Sequence, residues 1–169
     1  IKIAFVAFTK GMDGMALPEG SENCVNVLYE DYDSTYQTID RDRINRILDN
    51  VEAEKPDLTV AMLHWGSEYN DDISKTQKSI VSLMQKQGVD IIIGTHALLT
   101  GDVVFNNLDM VIADEQHRFG VNQRSNLKNK GALADVLYMS ATPIPRSLAL
   151  ALYGDLNISR ITDMPKGRQ

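Results

Sequence analysis

A chain of 169 residues, 43% hydrophobic and 24% charged, has the composition of an ordinary globular domain with a core of its own. Its 17 Lys and Arg against 23 Asp and Glu give a net charge of −6, which argues against a generally basic nucleic-acid binder. The one cysteine, Cys24, excludes an internal disulfide and a cysteine zinc site and fits a reducing, cytoplasmic compartment, while no apolar run nears the ~18 residues of a membrane span. The chain starts at Ile1 without a Met and shows no signal peptide, so it reads as a piece. The charge is uneven. Residues 1–97 carry 9 basic and 16 acidic side chains, whereas residues 98–169 carry 8 and 7, which hints at two origins.

In chain order, the continuous apolar run Ile3–Phe8 predicts a buried strand. Gly11, Gly14, Pro18 and Gly20 then mark a long loop. Its acidic stretch Glu30–Asp33 reads as a solvated turn, since a calcium site needs further oxygen ligands. Ile44, Ile47, Leu48 and Val51 recur at helical spacing behind Asp40, a plausible cap. Lys55-Pro56-Asp57 turns the chain into a second buried strand, Leu58–Leu63. Ser74-Lys-Thr-Gln77 is a capping box. It opens a helix whose inward face is Ile73, Gln77, Ile80, Val81 and Met84, and Gly88 stops it. Trp65, Tyr69 and the methionines read as packing groups.

A third strand is predicted over Val89–Gly94 and a fourth over Leu108–Ala113. A short helix over Val121–Lys130, stopped by Gly131, comes next. A fifth strand spans Asp135–Met139. Pro143 and Pro145 suit the first turn of a helix running to Gly154. Leu156–Ile161 predicts a sixth, edge strand, and Met164–Arg168 a polar linker stub. Alternation of strands and helices predicts one α/β domain over residues 1–169. It would be three-layered, with a mostly parallel sheet of five or six strands and helices on both faces. Polar groups in such sheets gather beyond the C-terminal strand ends. Three sets fall there: His64 with Glu68, Thr95 with His96, and Asp114 with Glu115.

The last set carries recognisable chemistry. An apolar strand ending in adjacent carboxylates suits nucleotide hydrolysis, in which one holds the magnesium shell and the other polarises the attacking water. Yet no G-x-x-x-x-G-K-[ST] loop occurs within the 169 residues to cradle phosphates.

Residues from about 91 to 168 resemble the RecG family of superfamily 2 DNA helicases, which remodel stalled replication forks. The resemblance rests on Ile93–Leu98, Val111–Val121, Met139–Arg146 and Leu152–Asp155, in that order and spacing. It implies a vestigial Walker B pair, with Asp114 binding Mg²⁺ through water and Glu115 as catalytic base. By the same resemblance Gln116 and His117 sense nucleotide state. Ser140, Ala141 and Thr142 couple that state to DNA movement, and Thr95 with His96 touches the DNA backbone. ATP and DNA are thus ligands by ancestry. The phosphate loop and its lysine, the second motor domain with its arginine, and the wedge domain are missing from these residues, so no appreciable ATPase activity is expected.

Residues 1 to about 97 resemble instead the C-terminal part of the CapA family of capsule and poly-γ-glutamate biosynthesis proteins, whose fold is metallophosphatase-like. Ile1–Phe8, Leu63–Tyr69, Gln77 and Gly88–His96 carry this resemblance. It implies a divalent metal or substrate centre at His64, Glu68 and His96, to which imidazole and carboxylate are suited. The pattern is incomplete: His96 is followed by Ala97-Leu98 where the family has His-x-His, and the upstream metal-binding segments are missing. Asp90–His96 serves both resemblances. The seam is therefore expected within or just after residues 90–97, and the chain reads as a hybrid of two unrelated parents, engineered or recombined. The competing readings are a helicase fragment, a metallophosphatase-type hydrolase fragment, and a folded hybrid without native activity.

Overall fold

The computed structural model describes residues 1–12, 14–65, 75–95, 98, 103–105, 107–115, 134–141 and 157–161. The element order is β1 (Ile3–Thr9), α1 (Arg41–Ala53), β2 (Leu58–His64), α2 (Lys75–Lys86), β3 (Ile91–Ile93), β4 (Met110–Ala113) and β5 (Asp135–Tyr138). The α/β class and the parallel pairing agree with expectation. Among the described residues there is no single sheet of five or six strands. Strands β1-β2-β3 make one three-stranded parallel sheet, and β4-β5 make a separate two-stranded parallel sheet. Residues 157–161 carry no strand. The helices expected over 121–130 and 143–154, the 164–168 tail and the Ser74 cap lie outside the described residues.

The first sheet has spatial order equal to sequence order. Two crossovers of the same hand that step in the same direction place both helices on the same face. The packing agrees. Val6 and Phe8 of β1, Ala61 and Leu63 of β2, Ile44 and Leu48 of α1, and Ile80, Val81 and Met84 of α2 share one core. Helices on both faces are therefore not what the described residues show. The strands also differ from the fully buried runs expected of them. Ile3 and Phe5 are 47% and 68% exposed, and Ile91 and Ile93 are 45% and 48% exposed. The register aligns Ile3 with Leu58, Phe5 with Val60 and Val60 with Ile91, so these residues form the second face. An unbroken apolar run cannot distinguish a strand covered on two sides from one covered on one side.

Local chemistry explains the helix ends. The Asp40 side chain accepts a hydrogen bond from Arg43 N at 3.0 Å and caps α1. The same carboxylate meets the Arg43 guanidinium at 3.2 Å. Gln77, Ile80, Val81 and Met84 are the buried face of α2, as their spacing predicts. Gly88 adopts φ +74° after α2, a left-handed conformation that costs an L side chain about 1 kcal/mol or more.

The loop between β1 and α1 contributes more than its composition suggests. Val27, Leu28 and Tyr29 are buried. Backbone bonds from Thr9 N to Asn26 O and from Leu28 N to Thr9 O lay this segment along the end of β1. The acidic stretch that follows is a hydrogen-bonded turn. Asp31 accepts from the Thr35 hydroxyl and from the backbone N–H groups of Gln37 and Thr38. These donors hold its carboxyl down at about 2.

The second sheet is thin by comparison. Ala113 is its buried centre, with Val111 and Tyr138 partly buried against it. Met110, Ile112, Leu137 and Met139 are exposed.

Candidate functional sites at two strand edges

The first edge lies where β1, β2 and β3 end. Parallel pairing puts Thr9 opposite His64, and Thr95 follows two residues after β3. The Thr9 hydroxyl donates to Gly11 O at 3.1 Å and lies 3.2 Å from His64 Nδ1. A hydroxyl has a single proton to give. With that proton on Gly11 O, the network assigns the ring proton to Nδ1 and leaves Nε2 as the lone-pair nitrogen of the neutral imidazole. Lys10 N also donates to His64 O at 2.8 Å, which fixes the strand end on which the ring is carried. The contact of Thr9 with His64 is one that sequence reading missed. The place of Thr9 directly before the glycine-rich loop, at the end of an apolar run, is the signal that points to it.

Behind this edge Trp65 is buried in the core, as its reading as a packing group predicts. Its Nε1 is buried without a hydrogen-bond partner, and so is Thr95 Oγ1. An unmade bond of this kind costs about 1–3 kcal/mol. Gly94 permits the packing: a Cβ there would stand 2.9 Å from Leu98 Cδ1 and 3.4 Å from Trp65 Nε1. The other expected members of this set, Glu68 and His96, lie outside the described residues. Among the described residues no three His, Cys, Asp or Glu side chains gather as a metal site. Among the described residues His64 alone does not supply the several ligands a divalent centre takes.

The second edge is formed by β4 and β5. Their register pairs Ala113 with Tyr138, and Met139 N donates to Ala113 O at 2.8 Å. Asp114 and Glu115 therefore leave β4 beside the point where Met139 and Ser140 leave β5. Two sequence blocks some 25 residues apart thus emerge at one edge, as parallel pairing requires. Asp114 is exposed, and its Oδ1 accepts from Glu115 N at 2.8 Å. Glu115 has φ +49°, a left-handed value uncommon outside glycine. Such backbone costs about 1–3 kcal/mol and clusters at functional positions. Ser140 is half-buried and Ala141 exposed. Gln116, His117 and Thr142 lie outside the described residues. The 169 residues contain no G-x-x-x-x-G-K-[ST] loop.

Among the described residues no helix is long and apolar enough to cross a membrane. Curated relatives include the ATP-dependent DNA helicase RecG of Staphylococcus epidermidis, 52% identical over 95 residues. The RecG of Staphylococcus aureus is 50% identical over a stretch of the same length. The match takes 56% of this chain but only 14% of the helicase, so the chain spans a small part of the relatives it resembles. A family model, bacterial capsule synthesis protein PGA_cap, matches residues 1–112. The stretches of 112 and 95 residues lie within a chain of 169, so they must share at least 38 residues. Both resemblances drawn from the sequence are therefore found again in known proteins. With more than half its length matched by that model, the chain belongs to the bacterial capsule synthesis protein PGA_cap family and carries a RecG-like stretch within the same 169 residues.

Proposed function

We propose that this chain is a hybrid in which a capsule-synthesis segment and a helicase motor segment share a strand region around residues 90–97, and that it does not hydrolyse ATP. The observation that carries the proposal is the pairing of an intact acidic tip, Asp114-Glu115, with a sequence that has no phosphate loop. Phosphoryl transfer through a loose transition state depends on positioning and on cationic neutralisation of the equatorial oxygens. Asp114 and Glu115 can orient a water or hold a hydrated cation. They cannot neutralise a triphosphate. DNA association, as in the RecG relatives, belongs to the helicase ancestry in this proposal, and Thr95 and His96 would be its contacts.

The test is phosphate release from Mg²⁺-ATP in the presence of forked DNA. The expected result is no release above a protein-free blank. Turnover of about one per second, abolished in Glu115→Gln, would overturn the proposal.

A second reading is favoured by the PGA_cap match together with the His64 ring, whose Nε2 the Thr9 hydrogen bond leaves as an acceptor. It is a residual divalent-metal site at His64, with Glu68 and His96. Calorimetry with Zn²⁺ or Mn²⁺ tests it. Sub-micromolar affinity lost in His64→Ala supports it, and no saturable heat contradicts it.

A further inference from the structure

Six large apolar residues stand exposed on the face of the first sheet that does not meet α1 and α2: Ile3, Phe5, Leu58, Met62, Ile91 and Ile93. Strand register sets them in rows. Ile3 pairs with Leu58, Phe5 with Val60 and Val60 with Ile91, and Ala7 with Met62 and Met62 with Ile93. These rows contain no charged side chain. His64, beside Thr9 at the end of the strands, is the one ionisable group among the strand positions of this face. Among the described residues nothing covers the rows. The opposite face is backed by a core of fourteen buried residues, so the open rows are carried on a packed layer.

We propose that this face binds a second copy of the chain, sheet against sheet. Apolar surface left in water gains free energy when it is covered, and a contiguous patch of this kind marks an interaction site. The six residues are between 36% and 68% exposed. At roughly 200 Å² for a fully exposed residue of this size, they leave on the order of 600 Å² open per copy. Two copies together bury about 1,200 Å², where specific interfaces begin. A partner that brought charges to the rows would bury them unpaired, at a cost. The same face of a second copy brings none. A two-fold axis uses the one patch twice, so association stops at two. Paired sheets of this type lie ~10 Å apart with their strands about 30° from aligned, and their inner side chains interdigitate. Because the strands already rest on the helix-side core, they need no reordering to bind. The β4-β5 sheet is a poorer candidate. It exposes four such residues, Met110, Ile112, Leu137 and Met139, and among the described residues only Ala113 is buried behind them.

The test is sedimentation of the 169-residue chain over roughly 1 μM to 1 mM, the range in which small interfaces dissociate. A reducing agent is present throughout, because Cys24 is exposed and could link two copies by itself. The expected result is a reversible monomer–dimer equilibrium. Phe5→Lys places one ammonium from each copy in the interface and raises the dissociation constant about tenfold or more. Met62→Lys, on the central strand, does the same. Ile112→Lys, on the second sheet, leaves the equilibrium unchanged. Phe5 and Met62 are outside the helix-side core, so both variants keep their fold, and unchanged denaturation midpoints at low concentration confirm this. Three results would overturn the proposal. One is a monomer at every concentration, which would leave the face to some other cover. Another is a dimer that Phe5→Lys and Met62→Lys leave intact. The last is association that continues past two copies.

Discussion

The two sheets of this molecule are both built from mainly apolar strands, yet among the described residues they are covered very differently. The β1-β2-β3 sheet shares its inner face with two helices and the Val27–Tyr29 segment, giving a core of fourteen buried residues. Among the described residues, the β4-β5 sheet buries Ala113 and little else. The RecG-like resemblance carries the sharper motifs, and the PGA_cap-like stretch carries the packing. Similarity of motif and completeness of core are thus separate properties. The strand-tip acid pair Asp114-Glu115 stands in a sequence that contains no G-x-x-x-x-G-K-[ST] loop.

This contrast can be broken most forcefully in the cores. Ile80→Ala in the first sheet's core should cost about 2–5 kcal/mol. Ile112→Ala, on the exposed face of the second sheet, should cost less than about 1 kcal/mol. Chemical denaturation of the two variants gives the comparison. Equal losses would show that β4-β5 is as deeply packed as β1-β2-β3. Next in size is Gly11→Ala. A Cβ there would clash with the Tyr32 carbonyl oxygen and with Tyr36 Cε1, so the loop must move. The expected result is a clear drop in melting temperature, with the β4-β5 amide shifts unchanged.

Asp40→Ala should cost about 1–2 kcal/mol by loss of the α1 cap. Asp40→Asn should retain most of that stability, because the cap survives the loss of charge. The smallest effect concerns pH. The Asp31 carboxyl is held at about 2 against an ordinary 3.8, so its folded form binds protons less readily than its unfolded form. Its contribution is present above about pH 4 and is lost as pH falls from there toward 2. Asp31→Asn should lower stability at neutral pH and flatten the acid limb in that window, so that the two proteins converge as pH falls toward 2. A steeper limb would contradict the hydrogen bonds from Gln37 and Thr38.

Much of the first sheet was legible. Helical spacing and caps marked α1 and the buried face of α2, and the apolar runs marked β1 and β2, because local periodicity and end chemistry are written along the chain. The burial of Val27–Tyr29 was not legible. That segment shows no period, and its place beside β1 depends on long-range bonds from Thr9 and Leu28. The exposed face with Phe5 and Ile93 was misjudged for a related reason: strand order decides which side the helices cover. At the sites, the Asp114-Glu115 tip was read directly from its motif. The Thr9–His64 contact was not, because a register between strands 55 residues apart joins them.

The central claim is that the acids of β4 lack a cationic grip on a triphosphate. Amide chemical shifts during titration with Mg²⁺-ATP test it most directly, because they locate where nucleotide lands. The account predicts no saturable change at Asp114, Glu115 or Ser140. Saturable shifts at Asp114 and Glu115, removed by Asp114→Asn, would contradict it.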